Sequence, residues 1–295
     1  MRAYVFPGQG SQYPGMGRDL LQFGPKVAEG MARADEVLGF DLSRLMTEGT
    51  EDDLRQTRVT QPAVFLFSVL WAESLGAAFK PDMVAGHSLG EFSALTAVGA
   101  LRFEDGLRLV ALRANAMQEA CLKEPSTMAA VLGLDDDKVK SICEAVSIPT
   151  VVAANYNCPG QVVISGSPPA VEAAGQLALA AGALKVVPLA VSGAFHSPYM
   201  AGAGAQLSQA LSEITLAPPS CPIYQNVAPW EGRTDPDLIA QGLKDQLTGA
   251  VLWTQTVLAM REAGATEFTE LGPGKVLQGL IRKIDRQALV VPPLS

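Results

Sequence analysis

The sequence is poor in the residues that usually announce a chemistry. It holds two histidines and four cysteines in 295 residues. Those cysteines (Cys121, Cys143, Cys158 and Cys221) show no C-x-x-C spacing and are too sparse for a disulfide framework. Free thiols in a reducing, cytoplasmic setting are expected, and no metal site. Positive charge is also scarce: 22 Lys and Arg stand against 30 Asp and Glu, a net charge of −8 that argues against a nucleic-acid partner. Nowhere do apolar residues run uninterrupted for the roughly 18 positions a membrane span needs, so no membrane partner is expected. MRAYVFPG reads as a strand that begins at once and not as a signal peptide. Repeats, long linkers and low-complexity tracts are missing too.

What is present is core material and a rhythm. Apolar residues make up 48% of a chain long enough for one large domain, or a large one with a smaller companion. AYVFPGQGSQ reads as a strand running into a glycine-rich loop, and Pro62 is expected in the first turn of the helix AVFLFSVLWAESLGAAF. Asp82–Gly86 reads as a short apolar strand, followed by helical spacing of Leu89, Phe92, Leu95, Thr96 and Gly99. From about residue 126 the order is strand, helix, strand, strand, helix, strand, the ferredoxin-like arrangement of a small subdomain. A helix from Pro198 to about Ile214 and a strand-helix-strand run then lead to EFTELGPGK and a last helix. Residues 1–125 and 191–295 are therefore expected to form one α/β unit around a mostly parallel sheet, with 126–190 as the insert.

Gly86-His87-Ser88-Leu89-Gly90 fits G-x-S-x-G, between a strand and a helix as a nucleophile elbow requires. A glycine-rich turn with a capping serine is the plainer reading. If Ser88 is activated, a base must take its proton. His87 adjoins it, and neighbouring side chains on a sharp turn diverge. His196 lies between a strand end and a helix start, with Ser197 and Pro198 as N-cap and first helical residue. Strand C-termini in an open α/β sheet gather catalytic groups, so His196 is the favoured base. No strand-end acid is evident between Ser88 and His196, where α/β hydrolases carry one. A backbone carbonyl could orient the imidazole instead.

The amide of Leu89 is placed by elbow geometry to help bind an oxyanion, and the loop Gly8–Gln12 could bring a second donor. No Lys-Ser or Lys-Thr follows those glycines, so the loop is not a phosphate loop. Arg113 has only apolar helical neighbours, at Leu109, Val110, Ala116 and Met117, and needs an anion to be stable there. A protein carboxylate and a substrate carboxylate both satisfy that need.

Together FPGQGSQ, GHSLGE, RANAM around Arg113, NYNCPGQVVISG from Asn155, GAFHSPYM and ELGPGKVL resemble the malonyl-CoA:acyl carrier protein transacylase family, from the N-terminus to about Ile284. The resemblance implies a hydrolase-like large unit and ping-pong transfer of malonyl from coenzyme A through Ser88 to a phosphopantetheine thiol of acyl carrier protein. It makes the coenzyme A thioester a substrate, with no bound cofactor, and implies a monomer. It assigns Gln9 and Leu89 to the oxyanion hole, Arg113 to the malonyl carboxylate and His196 to the base. It also gives the main-chain carbonyl of Gln246 the task of orienting the histidine. Gln61, Met117, Asn155 and Asn157 resemble pocket positions, and Leu89 with Phe195 resembles malonyl-selective members. A serine esterase or thioesterase, and a non-catalytic docking protein for carrier proteins, are the competing readings. An enzyme of net charge −8 must meet an acidic carrier through a local basic patch, for which Lys185 and the Arg282, Lys283, Arg286 cluster are candidates.

Overall fold

Residues 2–6 and 83–86 are short, apolar and flanked by helices, which suits strands buried on both faces. They are the centre of the larger sheet in a computed structural model that describes residues 1–146, 150–191 and 193–292. The expected second segment of the large unit, 191–295, thus includes four positions (192 and 293–295) outside the described residues.

The strands are β1 (Arg2–Phe6), β2 (Met83–Gly86), β3 (Thr127–Leu132), β4 (Val151–Cys158), β5 (Gln161–Gly166), β6 (Lys185–Pro188), β7 (Ile223–Gln225), β8 (Ala228–Arg233), β9 (Glu267–Glu270) and β10 (Leu289–Val291). The larger sheet runs β10-β9-β1-β2-β7-β8, parallel from β10 to β7 and closed by the antiparallel β7–β8 hairpin. Phe6 pairs with Gly86, so the loops after β1 and β2 leave the same carboxyl edge side by side. That edge is where an open α/β sheet collects its functional groups.

The smaller sheet is antiparallel, in the order β4-β5-β3-β6. Its strands alternate in the way period-two side chains must when both faces are covered. Ala129, Val131, Val162 and Ile164 pack with the helices Asp136–Ala145 and Pro168–Ala180. Met128, Ala130 and Val163 point the other way, into the main core. A backbone stitch joins the small sheet to the segment that leads into the helix Trp253–Glu262: Tyr156 N–H donates to the Val251 carbonyl at 2.9 Å, and Val251 N–H to the Ala154 carbonyl at 2.8 Å.

Three local expectations change. The helix carrying Pro62 begins at Thr57, so the proline is interior and not in the first turn. Its missing N–H would have met the carbonyl of Arg58, an exposed residue that water can serve. The segment after His196 opens with a 3₁₀ turn, Pro198–Met200, before the helix Ala201–Ser212. Beyond β7 the chain adds the hairpin strand β8 and two helices, Pro236–Gln246 and Trp253–Glu262, where one strand and helix were expected. β8 carries Pro229 and the exposed Trp230, which an edge strand tolerates. No helix among the described residues is long and apolar enough to cross a membrane.

Candidate active site

The elbow is built by close approach. A Cβ on Gly86 would lie 1.9 Å from the Gly90 carbonyl carbon, and one on Gly90 would lie 2.0 Å from the Phe6 carbonyl oxygen. Only glycine lets β1, β2 and the following helix meet there. Between them Ser88 is left-handed, at φ 53°, and His196 matches it at φ 56°. These are the non-glycine residues at positive φ among the described residues. Such a conformation costs about 1–2 kcal/mol for an L-residue and persists only where its surroundings over-determine it.

The two strained residues meet. Ser88 Oγ lies 2.7 Å from His196 Nε2. His196 Nδ1 lies 3.0 Å from the Gln246 carbonyl and 3.2 Å from that of Gly249. Carbonyls only accept, so the proton sits on Nδ1 and Nε2 offers a lone pair to the serine hydroxyl. Burial pushes the imidazole down to about 3, the Arg113 charge adds to the shift, and the carbonyl partners oppose it. The ring is therefore neutral at physiological pH. Among the described residues no carboxylate completes this pair.

Arg113, on the helix Phe103–Lys123, is 1% exposed. It donates to Gln61 Oε1 at 2.7 Å, to Ser88 Oγ at 2.9 Å and to Gln246 Oε1 at 3.1 Å, while its Nε has no partner among the described residues. It forms no ion pair with a described carboxylate. Burial lowers its guanidinium to about 10, and the charge of Glu91 pulls the other way. Of the two anions open to it, a protein carboxylate is not in contact. Glu91 is fully buried on the helix after the elbow, and burial raises its carboxyl to about 7 against hydrogen bonds from Asn226, Gln246 and Gln225.

The cleft between the sheets is lined by ten of the eleven residues singled out from the sequence: Gln9, Gln61, Ser88, Leu89, Arg113, Met117, Asn155, Asn157, Phe195 and His196. The eleventh, Gln246, lies behind them, its side-chain amide donating to the Ser88 carbonyl at 2.9 Å. The main-chain N–H groups of Gln9 and Leu89 are not taken up by hydrogen bonds among the described residues. His87 is turned away from the hydroxyl, its Nε2 lying 2.9 Å from Asn157 Oδ1. Met117 Sδ accepts from the Gln61 amide at 3.3 Å.

Sequence reasoning missed Asn226, Glu91 and Gly249, and the apolar wall of Met128, Val163, Leu189 and Val191. Glu91 carried a signal, an acid on an otherwise apolar helix. The others carried none, because only the tertiary fold brings them to the elbow. Among the described residues no group of three His, Cys, Asp or Glu side chains is placed to hold a metal ion.

Known proteins share this fold. The acyl transferase domain family model matches residues 3–293. The malonyl CoA-acyl carrier protein transacylase of Escherichia coli K12 is 43% identical over 287 residues, covering 96% of this chain and 92% of its own. The solved transacylase of Coxiella burnetii superposes with a TM-score of 0.95 at 38% identity, over 99% of this chain and 93% of that one. A malonyl-transacylase solved in complex with its type II PKS acyl-carrier protein gives 0.95 at 39% identity, over 99% and 95%. The chain belongs to the malonyl CoA-acyl carrier protein transacylase family of acyl transferases.

Proposed function

We propose that this chain moves malonyl from malonyl-CoA to the phosphopantetheine thiol of acyl carrier protein through a malonyl-Ser88 ester. His196 Nε2 takes the hydroxyl proton as Ser88 Oγ attacks the thioester carbonyl. The C–S bond breaks, and the proton returns to the departing coenzyme A sulfur. The amides of Gln9 and Leu89 meet the oxyanion of each tetrahedral intermediate. The carrier thiol then gives its proton to His196, attacks the ester and regenerates Ser88. The Gln246 carbonyl holds Nδ1–H throughout, so no acid is required. Arg113 binds the malonyl carboxylate through its planar fork. Gln61, Met117, Asn155, Asn157 and Phe195 shape the acyl pocket.

One observation carries this reading: the hydroxyl 2.7 Å from His196 Nε2 is also 2.9 Å from a buried arginine that has no carboxylate partner among the described residues. An acyl group on Ser88 that bears its own carboxylate answers that charge. The separate apolar cluster of the small sheet supports an insert at 126–190 within a larger unit of 1–125 and 191–295. No bound cofactor, a monomeric state and a cytoplasmic location complete the proposal. Lys185, Arg282, Lys283 and Arg286 are exposed and available to an acidic carrier.

Intact-protein mass spectrometry tests it. Malonyl-CoA should add one malonyl mass at Ser88, and acyl carrier protein should remove it. Loss of the adduct to water at the same rate without carrier would mean an esterase or thioesterase. No adduct at all would leave a docking protein.

A further inference from the structure

Asn226 sits in the turn between β7 and β8, fully buried, with no part in the transfer steps above. Its carboxamide spans the elbow. Oδ1 accepts the Ser88 N–H at 2.7 Å, and Nδ2 donates to the Gly86 carbonyl at 2.6 Å. Its own N–H donates to Glu91 Oε1, while Gln225 Nε2 reaches the other Glu91 oxygen at 3.5 Å. Glu91 forms no ion pair among the described residues, so this buried carboxylate spends its hydrogen-bonding capacity on the groups behind the elbow.

Ser88 is thus held at both ends of its own backbone by side-chain amides: Asn226 on the N–H and Gln246 on the carbonyl. The turn's own bonds, Gly90 N–H to His87 and Glu91 N–H to Ser88, close the helix start but do not restrain the Ser88 N–H. A non-glycine residue relaxes out of the left-handed region unless it is held there. Rotation at Ser88 would carry Oγ off His196 and tilt the Leu89 amide with it. A misplacement of about 1 Å at a reacting atom is worth about 10²-fold in rate.

We infer that Asn226 is a positioning residue that holds Ser88 in its reactive backbone conformation, with Glu91 as the anchor of Asn226. This rests on Ser88 as the nucleophile.

The test uses the full chain and phenylmethylsulfonyl fluoride, a serine-directed reagent with no carboxylate for Arg113 to recognise. Sulfonylation forms the Oγ–S bond and expels fluoride, with the proton passing to His196, so it reports on the alignment of Ser88 with its base and not on recognition of the malonyl carboxylate. Asn226→Ala should slow both sulfonylation of Ser88 and kcat for malonyl transfer by about 10- to 100-fold, the scale of one or two buried hydrogen bonds lost. KM for malonyl-CoA should change by less than about threefold, since ground-state binding is not touched. If the alanine variant does not fold, Asn226→Asp replaces it. That side chain keeps the acceptor for Ser88 N–H but sets an oxygen against the Gly86 carbonyl, so labelling should still slow. Glu91→Ala should reproduce the loss, and Glu91→Gln should recover most of it, because an amide oxygen can still accept the Asn226 N–H.

Equal labelling of wild type and the Asn226 variant overturns the inference and leaves the transferase reading intact. A Glu91→Gln variant as slow as Glu91→Ala overturns the anchoring role. A wild-type chain labelled elsewhere than Ser88 removes the nucleophile, and the inference with it.

Discussion

The two sheets present opposite surfaces to the cleft they share. From the parallel sheet's side come Ser88, His196, Arg113, Gln246, Asn226 and Glu91, mostly buried and all joined by hydrogen bonds. The small sheet and the segment after it contribute mainly carbon, through Met128, Val163, Leu189 and Val191, with Asn155 and Asn157 as the polar exceptions. Buried polar networks are costly when incomplete and rigid when complete, whereas an apolar wall is set by shape. On the proposed reading the first surface fixes the reacting atoms and the second selects the acyl group.

That division breaks most simply at the serine. Ser88→Ala should form no covalent malonyl adduct while keeping its melting temperature, and an adduct on that variant or on Cys121 would end the mechanism. His196→Ala should lower acylation by about 10² to 10⁴-fold, the range of general base catalysis. Burial and Arg113 hold the His196 imidazole near 3, so its neutral form is already complete far below the ordinary histidine range. Acylation by the wild type should therefore show no acid limb near 6.5 and stay level down to about pH 5. A limb with a midpoint near 6.5 that vanishes in His196→Ala would contradict the buried, neutral base.

The next largest effect belongs to Arg113. Truncation to alanine strands a malonyl carboxylate in an apolar cleft at about 2–5 kcal/mol, or roughly 30- to several-thousand-fold in kcat/KM. Acetyl-CoA has no carboxylate to desolvate and should be spared or favoured. If both esters lose equally and the melting temperature falls, Arg113 belongs to the fold and not to the acyl group.

These tests concern residues that local pattern marks. Glycine at positions 86 and 90 flagged the elbow, the shortage of histidine narrowed the base, and apolar neighbours exposed Arg113 as a charge needing an anion. The ferredoxin-like order was legible because alternating apolar residues and turn signals are local. Asn226 and Val191 carry no such mark. Asn226 reaches Ser88 across 138 positions, and an asparagine in a turn looks the same whether it faces water or a strained serine. The start of the helix at Thr57 was hidden by Pro62, because an interior proline with an exposed acceptor reads like a first-turn proline. The hairpin strand β8 was obscured by its proline and exposed tryptophan, marks of an edge that resemble a loop.

The smallest effect sits at the seam between the sheets. Phe195 is 8% exposed in the cleft, next to His196, and its carbonyl accepts a hydrogen bond from Ser165 Oγ on β5 at 2.7 Å. The small sheet thus fixes where this backbone stands, and on the proposed reading the ring would crowd a branch on the acyl α-carbon. One methyl group decides only about 1–3 kcal/mol, so malonyl should be preferred over methylmalonyl by roughly 5- to 150-fold and not absolutely. Phe195→Val opens that space without touching a hydrogen bond, and should narrow the preference by up to about tenfold. Its rate of sulfonylation at Ser88 should match the wild type, because shape at the wall does not set the elbow. Competition between the two CoA esters measures the first quantity and intact mass the second. Equal slowing of both esters together with slower sulfonylation would place Phe195 among the groups that align the reacting atoms, and the division between the two surfaces would fail at that residue.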